Sequence, residues 1–234
     1  FSGEEIDDGF AATGDITADG MVQRIGGVAA KIRGATKRGC WIVGIPADNA
    51  KGVADVLVMD GPGQLVDIQI FTMKDFEEAR AVSRKDKGSE VQATLDAFAK
   101  VAALVKEKGF DLLKDAAVQK QLEAVVARMP NHLSAKLLLD YGRGQAPERL
   151  SVGGTFQEID ILSSGVIRQV MRTLMQREVK LNNELQKDAK EAAGGLEKIA
   201  AQIDPRLKDY HQSMLAVAKI FADGRKESES DKEL

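Results

Sequence analysis

Thr13-Gly-Asp-Ile-Thr-Ala-Asp-Gly-Met-Val-Gln-Arg-Ile-Gly-Gly-Val-Ala-Ala-Lys31 is the stretch on which the fold turns. It begins within the first of two β-rich runs, Phe10 to Thr17 and Met21 to Ile25, joined at Ala18-Asp19-Gly20, where Asp-Gly supplies the positive-φ position of a tight turn. Gly26-Gly27 breaks the second run. Val28 to Lys37 then carries Val28, Ile32 and Ala35 at helical spacing, and Gly39 closes that helix. Lys31 is thereby placed near the start of a helix that follows a hairpin.

Outward from this stretch the same alternation continues. Cys40 to Ile45 is an apolar strand of the kind covered on both faces, ended by Pro46, and Asp48 or Asn49 can cap a short helix toward Val56. Gly61-Pro62-Gly63 makes a loop, Val66 to Phe71 a fourth strand, and Thr72 offers a cap to a helix from Lys74 to Ser83. The expected class is α+β, a small mixed sheet domain with helices over residues 1–85 followed by an all-helical domain over 89–224. Arg84-Lys-Asp-Lys-Gly-Ser89 is expected to be a charged, flexible hinge between them.

Beyond the hinge, Val91, Leu95, Phe98, Val101, Ala102 and Val105 mark one face of a long helix that stops near Gly109. A second helix spans Ala116 to Met129 before Pro130, and Asn131 can cap a third through Leu133, Leu137 and Leu138 to Tyr141. Thr155 to Ala193 is helical with an expected interruption near Ser163-Ser164-Gly165, Gly194-Gly195 breaks it, and Pro205 can start the last helix. Residues 225–234 form a polar tail expected to be disordered.

Composition removes several function classes. The net charge is −3 with both signs interspersed, which disfavours nucleic acid as a partner. One cysteine, Cys40, excludes an internal disulfide framework and a multi-cysteine zinc site, and its strand-like context suggests a buried thiol. Two histidines far apart, His132 and His211, give little material for a metal site or a Ser-His-Asp triad, so no metal is expected. No apolar run approaches the ~18 residues of a membrane span, so no membrane partner is expected and a cytoplasmic setting is the default.

The residues from Ser2 to Ser83 resemble the proteolytic domain of Lon-type serine peptidases. The anchors are Thr13-Gly14-Asp15, Gly20, Ile25-Gly26-Gly27, Lys31, Gly39 and Ile45-Pro46 followed by Asn49, all in family order. The resemblance implies that Lys31 is the general base of a Ser-Lys dyad, a recognised variant of the serine-histidine arrangement. A lysine serves as a base only where its pKa falls far below ~10.4, which burial among apolar groups achieves, and the small neighbours Ala29 and Ala30 can let the amine point inward. Thr13 resembles the family threonine that positions the lysine, although a strand-forming residue would equally be β-branched. Asp15 is either a charge partner of Lys31 or, as slightly favoured, a surface or inter-subunit carboxylate. Gly26 and Gly27 serve the strand-to-helix turn rather than a phosphate.

The family serine belongs to a Pro-Ser-Ala-Gly-type turn upstream of Thr-Gly-Asp, for which the sequence before Thr13 has no room. Ser2, Ser163 and Ser164 lack its context, so this polypeptide alone is expected to be inactive. The implied substrate is a polypeptide, the implied companions are an N-terminal peptidase fragment carrying the serine and further copies in a homo-oligomer, and no cofactor is expected, ATP entering only through a module this sequence lacks. The alternatives are a non-catalytic interaction protein that keeps the peptidase fold and binds partners through its helical half, and a regulatory subunit that lends Lys31 to another chain. Leu122 to Leu139, with Pro130 and Ala135, weakly resembles a junction between tetratricopeptide repeats, against which stands a plain helical bundle.

Overall fold

A computed structural model of the chain describes residues 3–176 and 183–223 and falls into two compact units, residues 1–148 and 149–234. In the first unit, β1 (Phe10–Ala12), β4 (Ile42–Pro46) and β5 (Gln69–Met73) form a parallel sheet in the order β1-β4-β5. Between β1 and β4 come the antiparallel hairpin β2 (Asp15–Ile16) with β3 (Val22–Gln23) and the helix α1 (Val28–Lys37). Helices α2 (Ala50–Asp60) and α3 (Gly63–Asp67) join β4 to β5, and α4 (Phe76–Ser83) follows. The class is α+β, as the sequence indicates.

The expected single strand Phe10 to Thr17 is two strands because the chain leaves the sheet at Thr13-Gly14. A Cβ on Gly14 would lie 2.8 Å from Val22 Cγ1 and 3.3 Å from Pro46 Cγ, so the hairpin folds over the sheet at a separation only glycine allows. All five residues of β4 are buried, which fits the central strand. Its side chains alternate between two cores with the period of a strand. Val43 and Ile45 join Ile70, Ile32, Val53 and Val56, whereas Ile42 joins Phe71, Val82 and Leu95. Fully burying one such aliphatic side chain contributes about 1.5–3 kcal/mol.

The larger core extends into α5 (Ser89–Lys108), α6 (Ala116–Arg128) and α7 (Leu133–Gly142) through Phe98, Val101, Leu122 and Leu138. These three helices therefore share a compact unit with the sheet, and the compact division falls at 148/149 rather than at the change of sequence pattern near 85–89. Gly142 ends α7 against the turn Phe110–Lys114, where a Cβ would stand 2.1 Å from the Leu113 carbonyl oxygen. Because that neighbour is backbone, Gly142→Ala is expected to destabilise the unit by about 2 kcal/mol in denaturant melts.

The segment Asn131–Ser134 closes the free edge of β5. The Thr72 N–H donates to the Asn131 carbonyl (2.9 Å) and Asn131 Nδ2 donates to the Thr72 carbonyl (3.1 Å). Ser134 Oγ donates to the Ile68 carbonyl (2.7 Å) and accepts from the Ile70 N–H (2.9 Å). Asn131 is thus spent on β5, and His132 caps α7, its Nδ1 accepting from the Ala135 N–H (3.2 Å). Thr72 likewise lies within β5, and α4 is capped by Asp75, whose Oδ1 accepts from the Glu78 N–H (2.9 Å).

Residues 84–89 are not a free hinge. Ile6 bridges Arg84, the Asp7 N–H donates to the Ser83 carbonyl (2.8 Å) and the Lys85 N–H donates to the Glu5 carbonyl (2.8 Å), so the N-terminal segment pairs with this stretch as an antiparallel ribbon. Glu4 accepts from Arg80 and Arg84 (2.7–2.8 Å), and the Lys87 ammonium, its side chain 1% exposed, pairs with Asp7 and lies 5.3 Å from the Trp41 ring centroid. Burial raises the Asp7 carboxyl, but the hydrogen bonds from Lys87 and the Gly9 N–H outweigh it and hold the group below the usual carboxylate range. Lys87→Ala would leave Asp7 without its buried partner, and a loss of about 3 kcal/mol in unfolding free energy is expected.

The second unit consists of α8 (Val152–Gln176), α9 (Asn183–Ile199) and α10 (Lys208–Asp223). α8 runs unbroken through Ser163-Ser164-Gly165, because Ser163 and Ser164 turn their hydroxyls onto the Ile159 and Ile161 carbonyls of their own helix (2.6 and 2.9 Å). α9 likewise continues through Gly194-Gly195, where a Cβ on Gly195 would lie 2.6 Å from Leu162 Cδ2. The glycine there permits close helix packing rather than a break. Pro205 opens a single 3-10 turn ahead of α10. The expected tail 225–234 lies outside the described residues.

Candidate active site

The C-terminal ends of β1, β4 and β5 lie along one edge of the parallel sheet, and the turn leading to Lys31 is fastened to that edge. The Thr13 N–H donates to the Gly44 carbonyl (3.1 Å), the Val22 N–H to the Lys74 carbonyl (2.8 Å) and the Phe76 N–H to the Gly20 carbonyl (3.1 Å). Asn49, 6% exposed, grips Ile25 twice: its Oδ1 accepts from the Ile25 N–H (3.0 Å) and its Nδ2 donates to the Ile25 carbonyl (2.8 Å). Asn49 precedes α2 but makes no side-chain cap there, contrary to the expectation of a capping role. Open parallel sheets bind ligands beyond the carboxyl ends of their strands, which is the edge so assembled.

Gly27 is the N-cap of α1, at φ 71° and ψ 29°, a left-handed conformation natural to glycine. Gly26 is exposed with open space around its Cα. Lys31 follows in the first turns, its N–H donating to the Gly27 carbonyl (3.1 Å). Its side chain is exposed, which departs from the expected inward-pointing amine. The physical reason is its position on the helix: α1 buries Val28, Ala29 and Ile32, and Lys31 stands about 100° round from Ile32, beside the buried stripe rather than within it.

Among the described residues the Lys31 ammonium has no hydrogen-bond or ion-pair partner, and the Thr13 hydroxyl makes no bond to it. Asp15 lies exposed on β2 opposite Gln23 and forms no ion pair with Lys31. The structure brings Thr13, Asp15, Gly26, Gly27 and Lys31 to one hairpin-and-helix segment without joining their side chains. The residue that does fasten it, Asn49, is legible only through its spacing from Ile45-Pro46.

The remaining polar candidates are engaged elsewhere. His132 is fully buried between Phe71 and Phe98, ring centroids 4.5 and 4.7 Å away, and its Nε2 meets Gln69 Oε1 at 3.0 Å. Burial pushes its imidazole down to about 3. His211 Nε2 lies 2.8 Å from the Leu196 carbonyl in the second unit. Cys40 is half-buried and unpaired with any other cysteine. Among the described residues no group of three or more His, Cys, Asp or Glu could hold a metal ion, and no helix is long and apolar enough to cross a membrane.

Residues 1–78 match the family model of the Lon protease (S16) C-terminal proteolytic domain. No curated protein and no solved structure matches the chain. The match takes in 78 of the 234 residues and ends within α4, so the matched segment includes the whole parallel sheet, the hairpin and α1 with Lys31.

Proposed function

We propose that the chain is part of a Lon-like serine peptidase in which Lys31 is the general base for a serine carried on a segment that precedes Thr13 in the native protein. The observation that supports this most is the position of Lys31 in a family-matched segment, at the start of a helix whose entry Asn49 fastens to the C-terminal edge of the parallel sheet. The serine hydroxyl is a weak nucleophile at neutral pH and needs a base within reach to attack a peptide carbonyl, form an acyl-enzyme and release it to water. An unpartnered amine exposed at that edge is free to meet a hydroxyl brought from outside the described residues. Thr13 would then position the amine, and Asp15, exposed on the hairpin, would act at the surface or against another copy. No cofactor enters this chemistry.

The second reading, a peptidase fold that binds partners without cleaving, draws on the lack of a hydrogen bond between Lys31 and Thr13. Two measurements separate the readings. The chain alone should not cleave fluorogenic peptides, whereas the product of the whole gene, if it bears a Pro-Ser-Ala-Gly-type turn upstream, should. A whole gene product without that turn, or with it but inert toward unfolded polypeptides, would sink the peptidase reading.

A further inference from the structure

Residues Glu4 to Gly9 run as a strap along the first unit, and no buried apolar side chain anchors it: Ile6, the one large apolar residue among them, is 64% exposed. The Asp7 N–H to Ser83 carbonyl bond and the Lys85 N–H to Glu5 carbonyl bond tie it to the opposite strand (2.8 Å each). Charge supplies most of the remaining hold. Segments with few buried apolar contacts open locally at a free energy well below that of the whole domain.

The two ends of the strap are built differently. At the outer end the Glu4 carboxylate accepts from Arg80 Nε (2.7 Å), Arg80 Nη2 (2.8 Å) and Arg84 Nη1 (2.8 Å), and Glu5 accepts from Lys85 Nζ (3.1 Å). All of these side chains reach solvent, and a surface notch lined by Glu4, Glu5, Arg84, Lys85 and Asp86 admits counter-ions to them. Arg84 Nε is buried with no acceptor among the described residues, a cost that the closed ribbon carries. At the inner end the buried Lys87 ammonium pairs with Asp7 beside the Trp41 ring. The Gly9 carbonyl there accepts from the Trp41 and Ile42 N–H groups (2.9 and 3.2 Å). A Cβ on Gly9 would lie 1.9 Å from Trp41 Nε1, so the root of the strap is seated directly on the indole.

Salt acts on the two ends unequally. The screening length falls to about 3 Å in 1 M salt, which weakens ion pairs open to water, whereas a buried pair is screened much less. We infer that residues 4–9 are a two-stage strap: the Glu4–Glu5 end peels away from Arg80, Arg84 and Lys85 as ionic strength rises, while the Asp7–Lys87 pair beside Trp41 keeps the root fastened ahead of β1. The inference does not depend on the peptidase reading. In that reading, the serine-bearing segment would reach β1 along this strap.

The test is amide hydrogen exchange of the full chain, resolved by residue with NMR, together with the fluorescence of Trp41, the one tryptophan of the sequence. Between about 20 mM and about 1 M NaCl, exchange at the Lys85 N–H should accelerate about fivefold relative to the core amides of β4 and β5. Exchange at the Asp7 N–H and the Trp41 emission should stay unchanged. Glu4→Gln, a substitution at the surface, should give the fast Lys85 exchange already at low salt and leave little further response. Lys87→Met should release the root, accelerating the Asp7 amide and shifting the Trp41 emission, with circular dichroism to verify the fold. A Lys85 amide indifferent to both salt and Glu4→Gln would overturn the inference. So would an Asp7 amide and a Trp41 emission that follow Lys85 in step with salt, because the strap would then open as a single piece. Should Lys87→Met not fold, the salt series and Glu4→Gln decide the matter alone.

Discussion

Lys31→Ala in a gene product that bears the upstream serine is expected to lower kcat/KM for peptide hydrolysis on the order of 10⁴-fold, the upper part of what a positioned base contributes. The fold should not change, since Lys31 is exposed and unpartnered and surface substitutions of this kind stay within about 0.5 kcal/mol. Lys31→Arg gives the sharper comparison. Arginine keeps the positive charge and most of the length but does not release its proton in proteins, so it cannot serve as a base. If the dyad operates, the arginine variant is as inactive as the alanine variant. Retained activity in Lys31→Arg would mean that the charge matters rather than proton transfer, and the dyad would fail.

The second large effect concerns the clasp on β5. His132→Ala is expected to cost about 4 kcal/mol of unfolding free energy, because it removes a ring packed between Phe71 and Phe98, opens a cavity and strips partners from Gln69 and the Ala135 N–H. The same group makes stability depend on pH. With Nδ1 accepting from Ala135, the other nitrogen of the neutral ring donates to Gln69, and a second proton has no place. The folded state thus resists protonation down to about 3, while the unfolded chain accepts a proton below 6.5. Between those values the unfolded state binds more protons, so stability is complete above 6.5 and declines as pH falls through that window, at up to about 1.4 kcal/mol per pH unit. Urea titrations from pH 7 to pH 4 should show the decline, and His132→Asn should flatten it. An equal slope in the variant would assign the acid sensitivity to other groups.

What could be seen in the chain beforehand follows the range of the interactions involved. The helices α5 and α6 were legible because apolar spacing and the Gly109 and Pro130 stops are local signals. Breaks expected at Ser163-Ser164-Gly165 and Gly194-Gly195 did not occur, since serine can satisfy itself on its own helix and Gly195 meets Leu162 of a facing one. The stretch 84–89 looked free because its charges have no partners nearby in sequence. Their partners are Glu4, Glu5 and Asp7, about 80 positions away. Likewise Leu122 to Leu139 weakly resembles a repeat junction, and nothing in its composition points to the edge of β5.

For the candidate site the division is similar. Sequence by itself determined the family resemblance of the first third, the order of strand, hairpin and helix, and the place of Lys31 at a helix start, because glycine positions and apolar period act within a few residues. The tertiary structure alone decided that the hairpin folds over the end of a parallel sheet, that Asn49 fastens it through Ile25, and that three helices beyond the family match complete the same core. It also decided that Lys31 faces outward. Those outcomes depend on hydrogen bonds and packing between residues 24 to about 80 positions apart, where no local pattern records the partner.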